Sequence, residues 1–330
     1  MDVYRLFKLM SDRSSHNKRI AKNTLFLYLR MGLVLVVSLF STRVVLQALD
    51  IEDYGINNVV SGFVTMFAFL NTSMSNGVQR FYNFSLGRKN GYSIKDVYNT
   101  ALQIQAILAV TLLVPLETFG MWYIHTQMVI PIDRFAAAQW VFQFSVLSLV
   151  LLVLQIPYSA AIMAYEKMDY YAYLSIFDVL AKLGIAYIIK YTTFDKLILY
   201  GALNMLVSLI CFFLYYGYAK SHFQDLKSDF IIRKQLFKPM LYFSGWNGFG
   251  SFAYMIKSQG LNMLLNVFFG PVVNAARGVS NMAMSAIQGF QSNIVIAFRP
   301  QLIQSYATGD NERVLKLFYN LSKVSFILLA

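Results

Sequence analysis

The chain has 330 residues, of which 57% are hydrophobic and only 13% charged, and it carries a formal net charge of +12. A water-soluble domain is charged at nearer a quarter of its positions, so composition excludes a large soluble core. Cys211 is the single cysteine, which excludes a disulfide framework, a CxxC pair and a cysteine-based metal site; His16, His125 and His222 fall in separate flanking or loop segments.

Residues 1–22 are polar and basic, and the apolar run that follows is too long for a cleavable leader, so we expect it to be a mature helix. A bilayer core takes roughly 20 helical residues to cross, and a helix satisfies its own backbone groups in lipid. On that basis we expect spans at 23–49, 56–82, 97–124, 135–163, 172–191, 196–219, 239–268 and 272–304, and a ninth from 313 that is still running at Ala330. The expected class is all-α: a polytopic helical bundle with about eight complete spans and part of another.

The basic residues are sorted by connection. One side of the expected membrane holds Arg5, Lys8, Arg13, Lys18, Arg19 and Lys22, then Arg88, Lys89 and Lys95, Lys167, the cluster Lys220, Lys227, Arg233, Lys234 and Lys238, and Arg313 with Lys316. The other side holds only Arg134, Lys190 and Lys196, while its first loop carries Asp50, Glu52 and Asp53. This asymmetry places the N-terminus in the cytoplasm. Much of the positive charge is therefore topogenic, and nucleic acid is not an expected partner. The outward connections are short, leaving no room for a separate soluble domain.

The chain also echoes itself. Residues 43–97 and 262–314 share an order of features: an outer turn (Tyr54-Gly55, Gly270-Pro271), a long helix with Arg near its inner end (Arg80, Arg299), and a polar inner turn with glycine (Gly87, Gly309). Six spans separate the copies, so both point the same way, as in carriers built from two parallel lobes.

Three stretches resemble the polysaccharide-transport branch of the multidrug/oligosaccharidyl-lipid/polysaccharide (MOP) flippase superfamily, the O-antigen or oligosaccharide flippases. They are Asn17-Lys18-Arg19-Ile20-Ala21-Lys22-Asn23-Thr24, Arg43 through Gly55 across the first outer turn, and Lys238-Pro239-Met240-Leu241-Tyr242-Phe243-Ser244. The resemblance implies a MATE-like fold of two six-helix lobes around a central cavity. It divides the chain into a cytoplasmic tail (1–22), an N-terminal lobe (23–219), a cytoplasmic inter-lobe loop (220–238) and the first part of a C-terminal lobe (239–330).

An ionisable side chain at mid-membrane costs about 2.5–3.5 kcal/mol on insertion scales, so it normally faces a cavity or a partner. Eight basic residues lie within expected spans, Arg30, Arg43, Arg80, Lys182, Lys257, Arg277, Arg299 and Lys323, against one deep acid, Asp178. Arg80, Arg277 and Arg299 sit near span ends, where snorkelling to headgroups explains them. Arg30, Arg43 and Lys257 are deeper and have no acid at helical spacing. Asp178 and Lys182, one turn apart, either neutralise each other or form an ion-coupling site that exchanges partners. Trp246-Asn247-Gly248-Phe249-Gly250-Ser251 is either a bend that opens a side gate at Gly248 and Gly250 or a close helix contact. The polar runs Asn71–Gln79 and Asn281–Asn293 are either cavity walls or helix-to-helix hydrogen bonding.

Surplus positive charge favours an anionic cargo, because Arg and Lys form charge-assisted hydrogen bonds to phosphate. With the resemblance, the expected activity is an alternating-access flippase that moves an undecaprenyl-diphosphate-type lipid-linked oligosaccharide across the bacterial inner membrane for surface polysaccharide synthesis. Arg30, Arg43 and Lys257, then Arg80 and Arg299, are the expected headgroup contacts. Membrane lipid and other glycan-assembly proteins are the expected partners. Three rivals stand beside this reading: a cation-coupled multidrug exporter of the same superfamily, a membrane glycan polymerase or ligase, and a scaffold for glycan-synthesis enzymes. The sequence offers no nucleophile with its base, no metal cluster and no phosphate-cradling glycine loop, so neither an enzyme nor a cofactor is expected.

Overall fold

In a computed structural model, residues 3–65, 67–87, 92–126, 128, 130–226 and 234–329 are described. Within these, the side chains of 3–19, 21, 51, 59, 63, 65, 68, 255, 256, 258–283, 285–287, 290, 328 and 329 lie outside the description. Among the described residues the chain is helical throughout and has no strand.

Helix α1 (Val3–Thr65) is interrupted at Asp50, whose φ of 62° and ψ of 170° belong to neither helix nor strand. This is the expected first outer turn. A non-glycine residue held in that corner of backbone space is strained by about 1–3 kcal/mol. Asp50→Gly is therefore expected to raise thermal stability by about 1 kcal/mol, and Asp50→Val to lower it, in a detergent melting assay.

The expected second span is not one helix. Helix α1 ends at Thr65, the Phe67 amide bonds the Val64 carbonyl at 3.1 Å, and α2 starts at Ala68 and runs to Gly87. Hydropathy is blind to this break, because a single turn changes hydrogen bonding without changing apolarity.

Helix α3 (Ile94–Pro115) opens on a capping box: the Asp96 amide donates to Ser93 Oγ at 3.1 Å, and the Ser93 amide donates to Asp96 Oδ2 at 3.4 Å. A π-turn at Leu116–Gly120 follows Pro115 and carries the chain into α4 (Met121–Thr126). After a 3₁₀ turn (Ile132–Arg134) come α5 (Phe135–Ala164), α6 (Met168–Lys190) and α7 (Lys196–His222). Asp195 caps α7 by accepting from the Leu197 and Ile198 amides, both at 3.0 Å. Helices α8 (Lys234–Thr308) and α9 (Asn311–Leu329) complete the chain.

Helix α8 doubles back on itself. On a straight helix, Ser244 and Gln304 would stand roughly 90 Å apart at 1.5 Å per residue. Both touch α2, Ser244 against Gly77 and Gln304 against Gly87, so the chain reverses between the two contacts. The expected outer turn Gly270-Pro271 falls in that interval.

Among the described residues, Lys22–Asp50, Ile94–Thr126, Ile132–Ala164, Met168–Lys190 and Lys196–His222 are long and apolar enough to cross a bilayer. Their outward faces stay apolar: Leu39, Phe40, Val110, Val114, Ile188 and Phe213 are all exposed. A continuous apolar exterior of this kind is suited to lipid and not to water. The chain is a multi-pass membrane protein. Inside, Tyr82, Tyr98 and Phe142 are wholly buried between α2, α3 and α5, and α7 crosses α5 at Gly201, where an added Cβ would lie 3.2–3.4 Å from Phe144 and Val141. Small residues at such crossings let membrane helices approach.

The two ends of the bundle carry different ties. At the end of the expected outer loops, Arg134 Nε donates to Asp53 Oδ1 at 2.8 Å, a second Arg134 nitrogen bonds Asp53 Oδ2, and Nη1 reaches Asp195 at 2.7 Å. Three loops assigned to one side of the membrane thus meet on one guanidinium. At the other end Lys22 pairs with Asp169 at 3.6 Å.

Candidate functional site

A cavity of about 620 Å³ lies between α1, α5, α6 and α7. Its polar lining arises from helical spacing. Ser145, Ser148 and Gln155 form a stripe on α5; Ser175, Asp178 and Lys182 one on α6; Asn204 and Ser208 one on α7, with Arg30, Asn57 and Ser61 from α1. Residues three and four apart share a helix face, so each stripe turns inward as a unit.

The serines are already committed as donors. Ser145 and Ser148 give their hydroxyl hydrogens to the carbonyls of Val141 and Phe144, each at 2.8 Å, Ser175 to Tyr171 at 2.9 Å, and Ser208 to Asn204 at 3.1 Å. Their oxygens still have lone pairs to offer, so these walls accept hydrogen bonds. Ser61 joins Ser145 across the helices at 3.1 Å.

The charges in the cavity are unequal. Lys182 Nζ donates to Asp178 Oδ2 at 2.8 Å, one turn away, and each cancels the other. Arg30 makes no salt bridge among the described residues. Its Nη1 makes long bonds to Tyr171 Oη (3.4 Å) and Ser175 Oγ (3.3 Å), its guanidinium lies 5.2 Å from the Tyr171 ring centre, and its buried Nε has no partner among the described residues. The cavity therefore holds one uncompensated positive charge and an unmet donor.

The structure brings Arg30, Asp178 and Lys182 together and separates the other candidates from them. Arg43 is exposed and does not line this cavity. Thirteen residues beyond Arg30, it is turned about 140° round the same helix at 100° per residue, which a depth argument does not register. Lys257 is likewise exposed and outside the cavity. Arg80 stacks over Phe243 at 4.1 Å and Phe84 at 5.5 Å, and Arg299 bonds the Asn76 amide oxygen, so both sit in the contact between α2 and α8. Lys323 borders a separate apolar groove of about 560 Å³ between α1, α8 and α9. The Arg277, Asn281 and Ser285 side chains lie outside the described residues.

The glycines of the expected bend interrupt nothing: α8 continues through Gly248 and Gly250. Gly248 makes only ordinary contact with Ser73, at 3.8 Å from its Oγ to an added Cβ, and Gly250 has nothing within 4 Å. Of the polar runs read either as cavity walls or as helix-to-helix bonding, two members make helix contacts: Ser73 bonds Ser251 at 3.3 Å, and the Asn293 amide reaches the Met31 sulfur at 3.1 Å. The stripes on α5 and α7 are the lining that the sequence reading missed. Ser145, Ser148 and Gln155 at helical spacing in an otherwise apolar run were the available signal.

No family model and no curated protein matches the chain. Solved structures do. An outward-facing multidrug-resistance MATE transporter of the MOP superfamily superposes with a TM-score of 0.77 at 13% identity, covering 95% of this chain and 70% of that one. A MATE in complex with MaD3S gives 0.76 at 12% identity over 95% and 71%. A MOP superfamily transporter from Pyrococcus furiosus Vc1, described as having a binding pocket of reverse polarity that suggests a different function, gives 0.70 at 13% identity over 94% and 70%. The chain thus has the all-helical fold of the MATE transporters of the MOP superfamily.

Proposed function

We propose that the chain belongs to an alternating-access carrier of the cytoplasmic membrane, N-terminus inside, whose cargo is a lipid-linked oligosaccharide with an anionic diphosphate headgroup. The observation that carries this reading is Arg30: a guanidinium in a membrane cavity whose one lining carboxylate, Asp178, is paired with Lys182, with hydroxyl and amide groups around it. A diphosphate would take the charge of Arg30 and draw Lys182 from Asp178, while Ser145, Ser148 and Asn204 would accept from sugar hydroxyls. The polyprenyl tail would remain in lipid, and the two lobes would rock about the cargo.

A second reading is a multidrug exporter, favoured by the solved structures of similar fold, which include multidrug-resistance MATE transporters. Asp178 weighs against a cationic drug, because its charge is already taken by Lys182. Deletion of the gene in its native host separates the two. Accumulation of the lipid-linked intermediate on the cytoplasmic leaflet with loss of surface glycan, both reversed by the intact gene, is the expected result. Unchanged glycan together with new drug sensitivity would give the second reading first place.

A further inference from the structure

We infer that the groove between α1, α8 and α9 is the seat of a resident phospholipid with an acidic headgroup, which joins α1 to α9 and is distinct from the cargo. This rests on the membrane setting of the chain and on no particular cargo.

The groove is a wedge. Its deep end is closed where α1 touches α8: the Asn293 amide reaches the Met31 sulfur at 3.1 Å, and a Cβ added to Gly289 would stand 2.7 Å from the Met31 Cε. Toward the Lys22 end of α1 the helices part, and about 560 Å³ opens between them with α9 as the third wall. The wall on α1 runs from Ile20 to Tyr28, about 12 Å along the axis. That is most of one leaflet of a hydrocarbon core about 30 Å thick.

The walls are divided by chemistry. Ile20, Leu25, Ile294, Phe298, Leu317 and Val324 are the apolar part, while Asn320 and Lys323 of α9 face Thr24 and Tyr28 of α1. Lys323 is exposed and makes no salt bridge among the described residues. Side chains lean toward the N-terminus of their helix, which on α9 is the basic end, so Lys323 snorkels to the level of Asn320. The chain beyond that end adds Lys18, Arg19, Arg313 and Lys316, against Asp310, which caps α9, and Glu312. A lone ammonium beside an amide and hydroxyls, above apolar walls, matches a lipid phosphate with its chain directed inward. The leaflet at the basic end is the one that attracts acidic lipid to lysine and arginine.

The occupant is set apart from the cargo by direction. Tyr28 and Arg30 stand about 200° apart round α1 at 100° per residue, so the groove and the Arg30 cavity lie on opposite faces of one helix. A phosphate held by Lys323 is outside the cavity, and the contact of Met31 with Gly289 and Asn293 stops the groove short of the bilayer centre.

The test uses the full chain, delipidated in detergent, with phosphatidylglycerol or phosphatidylcholine of identical chains added and bound lipid counted by native mass spectrometry. The parent is expected to retain one phosphatidylglycerol about fivefold more tightly than phosphatidylcholine. Lys323→Ala and Lys323→Gln are each expected to erase that preference, and Lys323→Arg to restore it. Val324→Trp, which fills the chain space and leaves Lys323 in place, is expected to weaken both lipids at least fivefold. Lys190→Ala, at an exposed lysine of the opposite end, is expected to behave as the parent. No preference in the parent, a preference that survives both charge-removing changes at Lys323, or an equal loss in Lys190→Ala overturns the inference. Undecaprenyl phosphate that displaces phosphatidylglycerol at equal concentration would give the groove to the cargo and also overturn it. Lipid counting involves no transport, so the cargo assignment stands or falls separately.

Discussion

Arg30→Ala is expected to lower export of an anionic cargo by roughly 10- to 100-fold with membrane levels unchanged. A hydrogen bond to a charged group contributes about 1.5–3 kcal/mol, and at 1.4 kcal/mol per decade that is the range given. The existing partners of Arg30, at 3.3 and 3.4 Å, are too long to hold its charge strongly, so most of its capacity remains for cargo. Arg30→Lys keeps the charge but loses the planar fork that matches phosphate, and an intermediate rate is expected. Arg43→Ala is expected to change export by less than about twofold, because Arg43 faces away from the cavity. Transport of the purified lipid intermediate into vesicles measures all three. Equal losses at Arg30 and Arg43 would remove the cavity from the route.

Arg134→Ala is expected to destabilise the fold by about 2–3 kcal/mol. The side chains of Asp53 and Asp195 are 15% and 33% exposed and converge on this one guanidinium. Removing it leaves two partly buried carboxylates to repel each other. Loss of one partner of a fully buried pair costs about 3–5 kcal/mol, and partial exposure brings the figure down. Asp195 would still cap α7, so the damage should be confined to the join between loops. Arg134→Lys retains one charge but not two simultaneous bidentate-type contacts and should recover less than half. Melting in detergent reads the effect; an Arg134→Ala protein as stable as the parent would show the clasp to be ornamental.

The helices were legible because lipid imposes one requirement, a long apolar run, on every span. Spans five and six correspond closely to α6 and α7 for this reason. The break at Phe67, the π-turn after Pro115 and the strained Asp50 were not legible in detail, since each alters backbone hydrogen bonding within a run whose hydropathy hardly changes. At the site the difference has a geometric origin. Depth along a span can be counted from the sequence, and it singled out Arg30, Arg43, Lys257, Asp178 and Lys182, of which the cavity holds Arg30, Asp178 and Lys182. Direction around the helix depends on which neighbour packs where, and it separates Arg43 from Arg30 on one helix. Asn76 and Gln79 read as cavity wall or as contact until α8 is seen lying against them.

Cys211 lines the cavity wall between Ser208 and Tyr215 and is 7% exposed. The sequence has no other sulfhydryl, so near neutral pH, where lysine amines add far more slowly, a maleimide offered to the unaltered chain reports on that position. The rate of that alkylation counts how often the chamber admits a visitor. It gives a clock for the transport cycle that needs no engineered label and no knowledge of the cargo.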